Sequence, residues 1–132
     1  MASERKRSEK FEKGLKTRRE VLGGEYVDKS VDAATDFNWP LQKLVTEYCW
    51  DEIWNRPGLD RRSRSILNLG MIAALNRPHE LKLHVRGALN NGLSRSEIQE
   101  ILLQIAIYCG APAAIDSFRV AQSVFDEIDG KA

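Results

Sequence analysis

Apolar residues recur along this chain every three or four positions, the period of an α-helix that turns one face to a core. Period-two alternation bounded by turn residues is absent, so the pattern predicts an all-α fold. Phe11, Leu15, Arg18 and Leu22 share a stripe of a first helix from about Ser8 to Leu22, ended by Gly23-Gly24. A short helix over Tyr26 to Ala34 follows. Pro40, after Asn38-Trp39, suits the first turn of a helix running to about Trp54. Leu41, Leu44, Val45, Tyr48 and Cys49 are expected on its inward face, and Arg56-Pro57-Gly58 breaks the chain.

The second half repeats the theme with clearer punctuation. Asp60 is an expected N-cap. The helix behind it is apolar nearly all round from Ile66 to Leu75, interrupted by Asn68, and is expected to be buried on most sides. Pro78 opens the next helix and Gly92 stops it. Ser94-Arg95-Ser96-Glu97 is a capping box. The helix it opens carries a core stripe of Ile98, Ile101, Leu102, Ile105, Ala106 and Cys109, while Leu103 and Ile107 fall outside it and suggest a second buried face. Gly110-Ala111-Pro112 separates a last helix, Ala113 to Ile128. The expectation is a single domain over residues 1–132, a helical bundle of six to seven helices. Two of the helices carry more apolar surface than one small core uses, which predicts a homo-oligomer rather than a monomer covered by its own termini.

Composition narrows the function classes. A chain of 132 residues fits one domain and needs no disulfide or metal staple. The formal net charge is +1, so no global field favours nucleic acid or an anionic membrane. The basic segment Ser3 to Glu20 is interleaved with Glu4, Glu9, Glu12 and Glu20 and reads as a solvated amphipathic helix. No secretory h-region is visible. The longest apolar run, Leu69 to Leu75, is far short of the ~20 residues of a bilayer crossing. Cys49 and Cys109 are far apart, with no CxxC, as for reduced thiols in the cytoplasm.

The candidate chemistry lies in Pro78-His79-Glu80-Leu81-Lys82-Leu83-His84-Val85-Arg86. Glu80 and His84 stand four apart on one helical face. They read either as a surface ion pair or as an acid–base pair whose carboxylate orients the ring and raises its pKa. His79 and His84 are five apart, about 140° around a helix, which is not the HExxH zinc spacing. There is no phosphate-binding glycine loop, serine elbow or redox CxxC, and nothing marks Lys82 as desolvated. Arg64, near the start of the preceding helix, and Arg77 are candidate carboxylate binders. Arg86 points to another face, so an interface role is as good a reading for it. Trp54 beside Trp50, and Tyr108, read either as core or as pocket wall. Gln104 interrupts an apolar helix and so faces an interface or a wet pocket.

Three ordered motifs carry a family resemblance. Trp54-Asn-Arg56-Pro-Gly-Leu-Asp-Arg-Arg-Ser-Arg64-Ser65 resembles the W-x-R-P-G-L-x-x-x-x-R-S segment of 4-carboxymuconolactone decarboxylases. Glu80-Leu-Lys-Leu-His84-Val-Arg86-Gly-Ala-Leu-Asn-Asn91-Gly92 is similar to their E-L-x-x-H-x-R-x-A-x-x-N-G, and Tyr108-Cys-Gly110-Ala-Pro112-Ala to their Y-x-G-x-P-A. Gln104 departs from the histidine of many members. The related alkylhydroperoxidase-D-type enzymes carry CxxCxxxH. Setting that histidine on His84 puts Arg77 and Glu80 where the cysteines would be, so peroxidase chemistry does not carry over.

The resemblance implies an alkylhydroperoxidase-D-like helical fold, assembled as a homo-oligomer (trimer or hexamer). It implies a lyase of aromatic catabolism, converting 4-carboxymuconolactone to the β-ketoadipate enol-lactone without a cofactor. Electrons left by CO2 flow into the conjugated lactone carbonyl, so the substrate is its own electron sink. The implied site has His84 delivering a proton to ring carbon and Glu80 orienting it, with Arg64, Arg86, Trp54 and Tyr108 toward substrate. The alternatives are a related lyase or isomerase on another lactone or keto acid, and a non-catalytic ligand-binding oligomer. The implied partner is a small lactone carboxylate, with no nucleic acid and no membrane.

Overall fold

A computed structural model describes residues 5–131 as helices joined by short turns, with no strand among the described residues. Ser3 and Glu4 of the basic segment lie outside them. The chain divides into two compact units, residues 1–59 and 60–132.

In the first unit, α1 (Glu9–Leu22) starts at Ser8, whose Oγ accepts a hydrogen bond from Phe11 N at 3.0 Å. Gly23, at φ +96°, turns the chain into α2 (Gly24–Asp32). α3 (Trp39–Leu44) continues into a nine-residue π-helix, Val45–Ile53. The wider i→i+5 turn changes which side chains face inward. Thr46, Glu47, Trp50 and Trp54 are buried, whereas Leu41, Leu44 and Tyr48 are more than half exposed. The inward face expected from 3.6-residue spacing is therefore corrected. α1 packs so closely on the π-helix that a Cβ on Gly14 would lie 1.9 Å from the Thr46 carbonyl oxygen. Glu47 is held by Ser8 Oγ at 2.7 Å and Lys43 Nζ at 2.6 Å. Those two hydrogen bonds, Lys43's first, keep its carboxyl below the usual range.

The second unit is four helices: α4 (Arg61–Ala74), α5 (Pro78–Asn90), α6 (Arg95–Cys109) and α7 (Ala111–Ile128). Asp60 caps α4 by accepting from Ser63 N at 2.7 Å, and Ser94 with Glu97 closes the capping box of α6. α7 begins two residues earlier than expected, because Gly110 at φ +98° makes the whole bend. Leu69, Ala73, Leu81, Val85, Ala88, Ile98, Leu102, Ile105 and Val124 interlock as the core. α4 is not buried on most sides: it shows Leu67 and Met71 to solvent, as does Leu75 at its C-cap. On α6, Leu103, Ile107 and Cys109 are exposed too. Four helices have too few neighbours to cover every apolar face that α4 and α6 carry.

Candidate active site

α5 is set against α4 by its C-terminal end. Asn91, the C-cap of α5, donates from Nδ2 to Ser65 Oγ at 2.9 Å and to the Arg61 carbonyl at 3.4 Å, near the start of α4. The two helices are therefore antiparallel, closed at the other end by the Leu75–Arg77 turn, where Asn76 adopts φ +56°. Glu80, His84, Gly87 and Asn91 follow the spacing i, i+4, i+7, i+11 and share one stripe of α5. Asn91's bonds identify that stripe as the one facing α4.

His84 lies in this stripe, only 8% exposed. Burial pushes its pKa down to about 4. The spacing argument expected the neighbouring carboxylate to raise it, and desolvation overrides that expectation. Glu80 stands in the first turn of α5 and is exposed. There the helix dipole favours a negative charge. On α4, Arg61, Arg64 and Asn68 form a half-buried polar stripe beside the core stripe of Ser65 and Leu69. The antiparallel register puts Arg64 one to two turns along the axis from His84, roughly 6–12 Å at 1.5 Å per residue. An extended arginine and a small dicarboxylate span that gap between them.

Within the second unit, Arg86 and Tyr108 lie off the His84 stripe. Arg86 donates to Glu127 Oε2 at 2.6 Å, beside Lys82, which reaches Glu127 Oε1 at 2.5 Å. Its partner is thus a carboxylate on α7, and the face it occupies is not the His84 stripe. Trp54 is buried in the first unit and stacks on Trp50, with ring centroids 5.0 Å apart. Tyr108 is exposed at the end of α6 and lines an open apolar groove with Gln104, Leu67, Gly70, Met71 and Ile105, about 470 Å³ in volume. His84 and Arg64 are not among the residues lining it. Sequence reasoning gave Asn91 and Ser65 no role, although both stand in the motifs that carry the resemblance. The available signal was the continuation of the Glu80–His84 stripe by seven residues to an amide. Among the described residues no three His, Cys, Asp or Glu side chains group as metal ligands.

Comparison with known proteins bears on this arrangement. The model of the carboxymuconolactone decarboxylase family matches residues 40–123. A nitrosuccinic acid decarboxylase of Metarhizium robertsii is 46% identical over 92% of this chain and 85% of its own. A 4-carboxymuconolactone decarboxylase of Acinetobacter baylyi is 36% identical over 91% of this chain and 90% of its own. An uncharacterised 15.0 kDa protein of Paracoccus denitrificans is 37% identical over 67% of this chain and 73% of its own.

Proposed function

This chain belongs to the carboxymuconolactone decarboxylase family and is, with its named relatives, a carboxy-lyase; we propose that it removes CO2 from a small dicarboxylate that carries its own electron sink. The two named substrates share that logic. In 4-carboxymuconolactone the departing carboxylate's electron pair is delocalised into the lactone carbonyl. In nitrosuccinate, loss of the carboxylate from the nitro-bearing carbon leaves the pair in a nitronate. In both, a second carboxyl function stays behind, and a carbon must then take a proton: the ring carbon next to the carbonyl in the lactone's dienolate, the nitro-bearing carbon in the nitronate. Such a reaction asks the protein for anion binding, oxyanion stabilisation and proton delivery. The higher identity to the nitrosuccinic acid decarboxylase favours a nitro acid as the first substrate to test, ahead of the lactone.

The observation that supports this reading is the buried imidazole of His84 on the α5 stripe that Asn91 ties to α4 at Ser65, the neighbour of Arg64. Arg64 binds the spared carboxylate. His84 is neutral in the empty site, and the entering anion raises its proton affinity, so it takes up a proton with the substrate. It then delivers that proton to carbon as the C–C bond to CO2 breaks. Glu80, a turn earlier on the same stripe, orients the ring. Arg86, Trp54 and Tyr108 are left out of these roles.

No helix among the described residues is long and apolar enough to cross a membrane. We place the reaction in the cytoplasm, on a homo-oligomer whose contacts use the exposed apolar side chains of α4 and α6.

The test is CO2 release from nitrosuccinate and from 4-carboxymuconolactone by the purified chain. His84→Ala is expected to lower kcat at least ~10²-fold, the scale of general acid catalysis, and Glu80→Gln less. Arg64→Ala is expected to raise KM chiefly. Full turnover in His84→Ala would remove its role, and binding of both acids without CO2 release would favour the non-catalytic alternative.

A further inference from the structure

We propose that the hydrogen-bonded clasp between Asn91 at the end of α5 and Ser65 on α4 is a positioning device, holding Arg64 and His84 in register for the reaction. This rests on the assignment of those two residues above. Ser65 is fully buried, and it is the residue next to Arg64. Asn91 lies two turns beyond His84 on the same stripe. The apolar contacts between α4 and α5, through Leu69, Ala73, Leu81, Val85 and Ala88, resist separation of the helices. They are non-directional, so they select one axial offset less sharply than a hydrogen bond does. The 2.9 Å bond from Asn91 Nδ2 to Ser65 Oγ and the 3.4 Å bond to the Arg61 carbonyl are directional and fix the axial offset. The Leu75–Arg77 turn fixes the other end of the pair; His84 lies between the two ties and Arg64 at the clasp itself. A shift of about 1 Å in such a pair is enough to cost roughly 10²-fold in rate.

The experiment uses the full chain carrying Asn91→Ala, Ser65→Ala or both. With whichever acid the parent decarboxylates, each single variant is expected to lose roughly 10- to 100-fold in kcat, with KM changed less than about 3-fold. The double variant is expected to be no slower than the slower single, since one clasp is broken either way. A second readout needs no turnover. The chain has two histidines, so His79→Gln leaves His84 as the single ring to follow by NMR titration. In the clasp variants that ring is expected to titrate measurably closer to an ordinary histidine than in the parent. Unchanged kcat in variants assayed below their unfolding midpoint would overturn the proposal, as would an unmoved ring titration. If Asn91→Ala does not fold, Ser65→Ala, which removes one buried oxygen atom, carries both readouts. A parent that decarboxylates neither acid sinks the proposed reaction and leaves the ring titration to judge the clasp.

Discussion

At the scale of single residues, the burial of His84 makes two signed statements about pH. Its folded pKa is about 4, below the ordinary 6.5 of the unfolded chain. Between those values the unfolded state binds more protons, so stability rises with pH across that window and falls on acidification. The full cost of reaching pH 4 is about 3 kcal/mol, set by a shift of that size at 1.36 kcal/mol per unit. Urea midpoints measured from pH 7 down to 4.5 should show this slope, and His84→Gln should flatten it. A slope that survives the substitution would assign it to other groups. The second statement is kinetic. If the imidazolium delivers the proton, the alkaline fall of kcat/KM, which reports the free enzyme, must come at lower pH than that of kcat, which reports the complex. Coincident profiles would remove the proton uptake on binding. Spacing alone made the Glu80–His84 stripe legible. It did not give the depth of each member, because depth is set by what packs over each position, which buries His84 and leaves Glu80 exposed, and depth decides the sign of the shift.

At the scale of the elements, two glycines inside helices are expected to answer oppositely to the same change. Gly14 faces the Thr46 carbonyl across the contact of α1 with the π-helix, whereas an added Cβ at Gly70 on α4 meets nothing within 4 Å. Gly14→Ala must push two backbones apart and should cost at least the 1–3 kcal/mol typical of overpacking. Gly70→Ala should stabilise by about 0.5–1 kcal/mol through helix propensity. Thermal midpoints of the two variants check the pair, and a neutral Gly14→Ala would mean that α1 does not pack this closely. The caps at Asp60 and Ser94, and the stops at Gly23, Gly92 and Gly110, were readable because capping is local chemistry. The π-helix was not. Its i→i+5 bonds leave no mark in composition, and assuming 3.6 residues per turn there turned Tyr48 inward in place of Thr46, Glu47 and Trp50.

At the scale of the whole molecule, the excess of apolar positions was legible and its destination was not. Periodicity counts apolar residues on a face. It does not say whether a neighbouring helix or a second chain covers them. In the second unit the uncovered residues include Leu67 and Met71 on α4, Leu75 at its C-cap, Leu103, Ile107 and Tyr108 on α6, and Ile115 on α7. Exposed apolar patches of this kind mark association surfaces, and each buried Leu or Ile contributes roughly 1.5–3 kcal/mol. Ile107 is the sharpest probe, being 82% exposed in the isolated chain. A glutamate there keeps good helix propensity and stays in water while the chain is alone, so it should leave the fold intact. In an assembly it would bury an unpaired charge, which costs several kcal/mol. Sedimentation velocity should therefore find the parent at a multiple of 15.0 kDa and Ile107→Glu at 15.0 kDa, with matching helical circular dichroism. A parent that sediments as a single chain at tens of micromolar would mean that these side chains remain in contact with water, and the oligomer would have to be withdrawn.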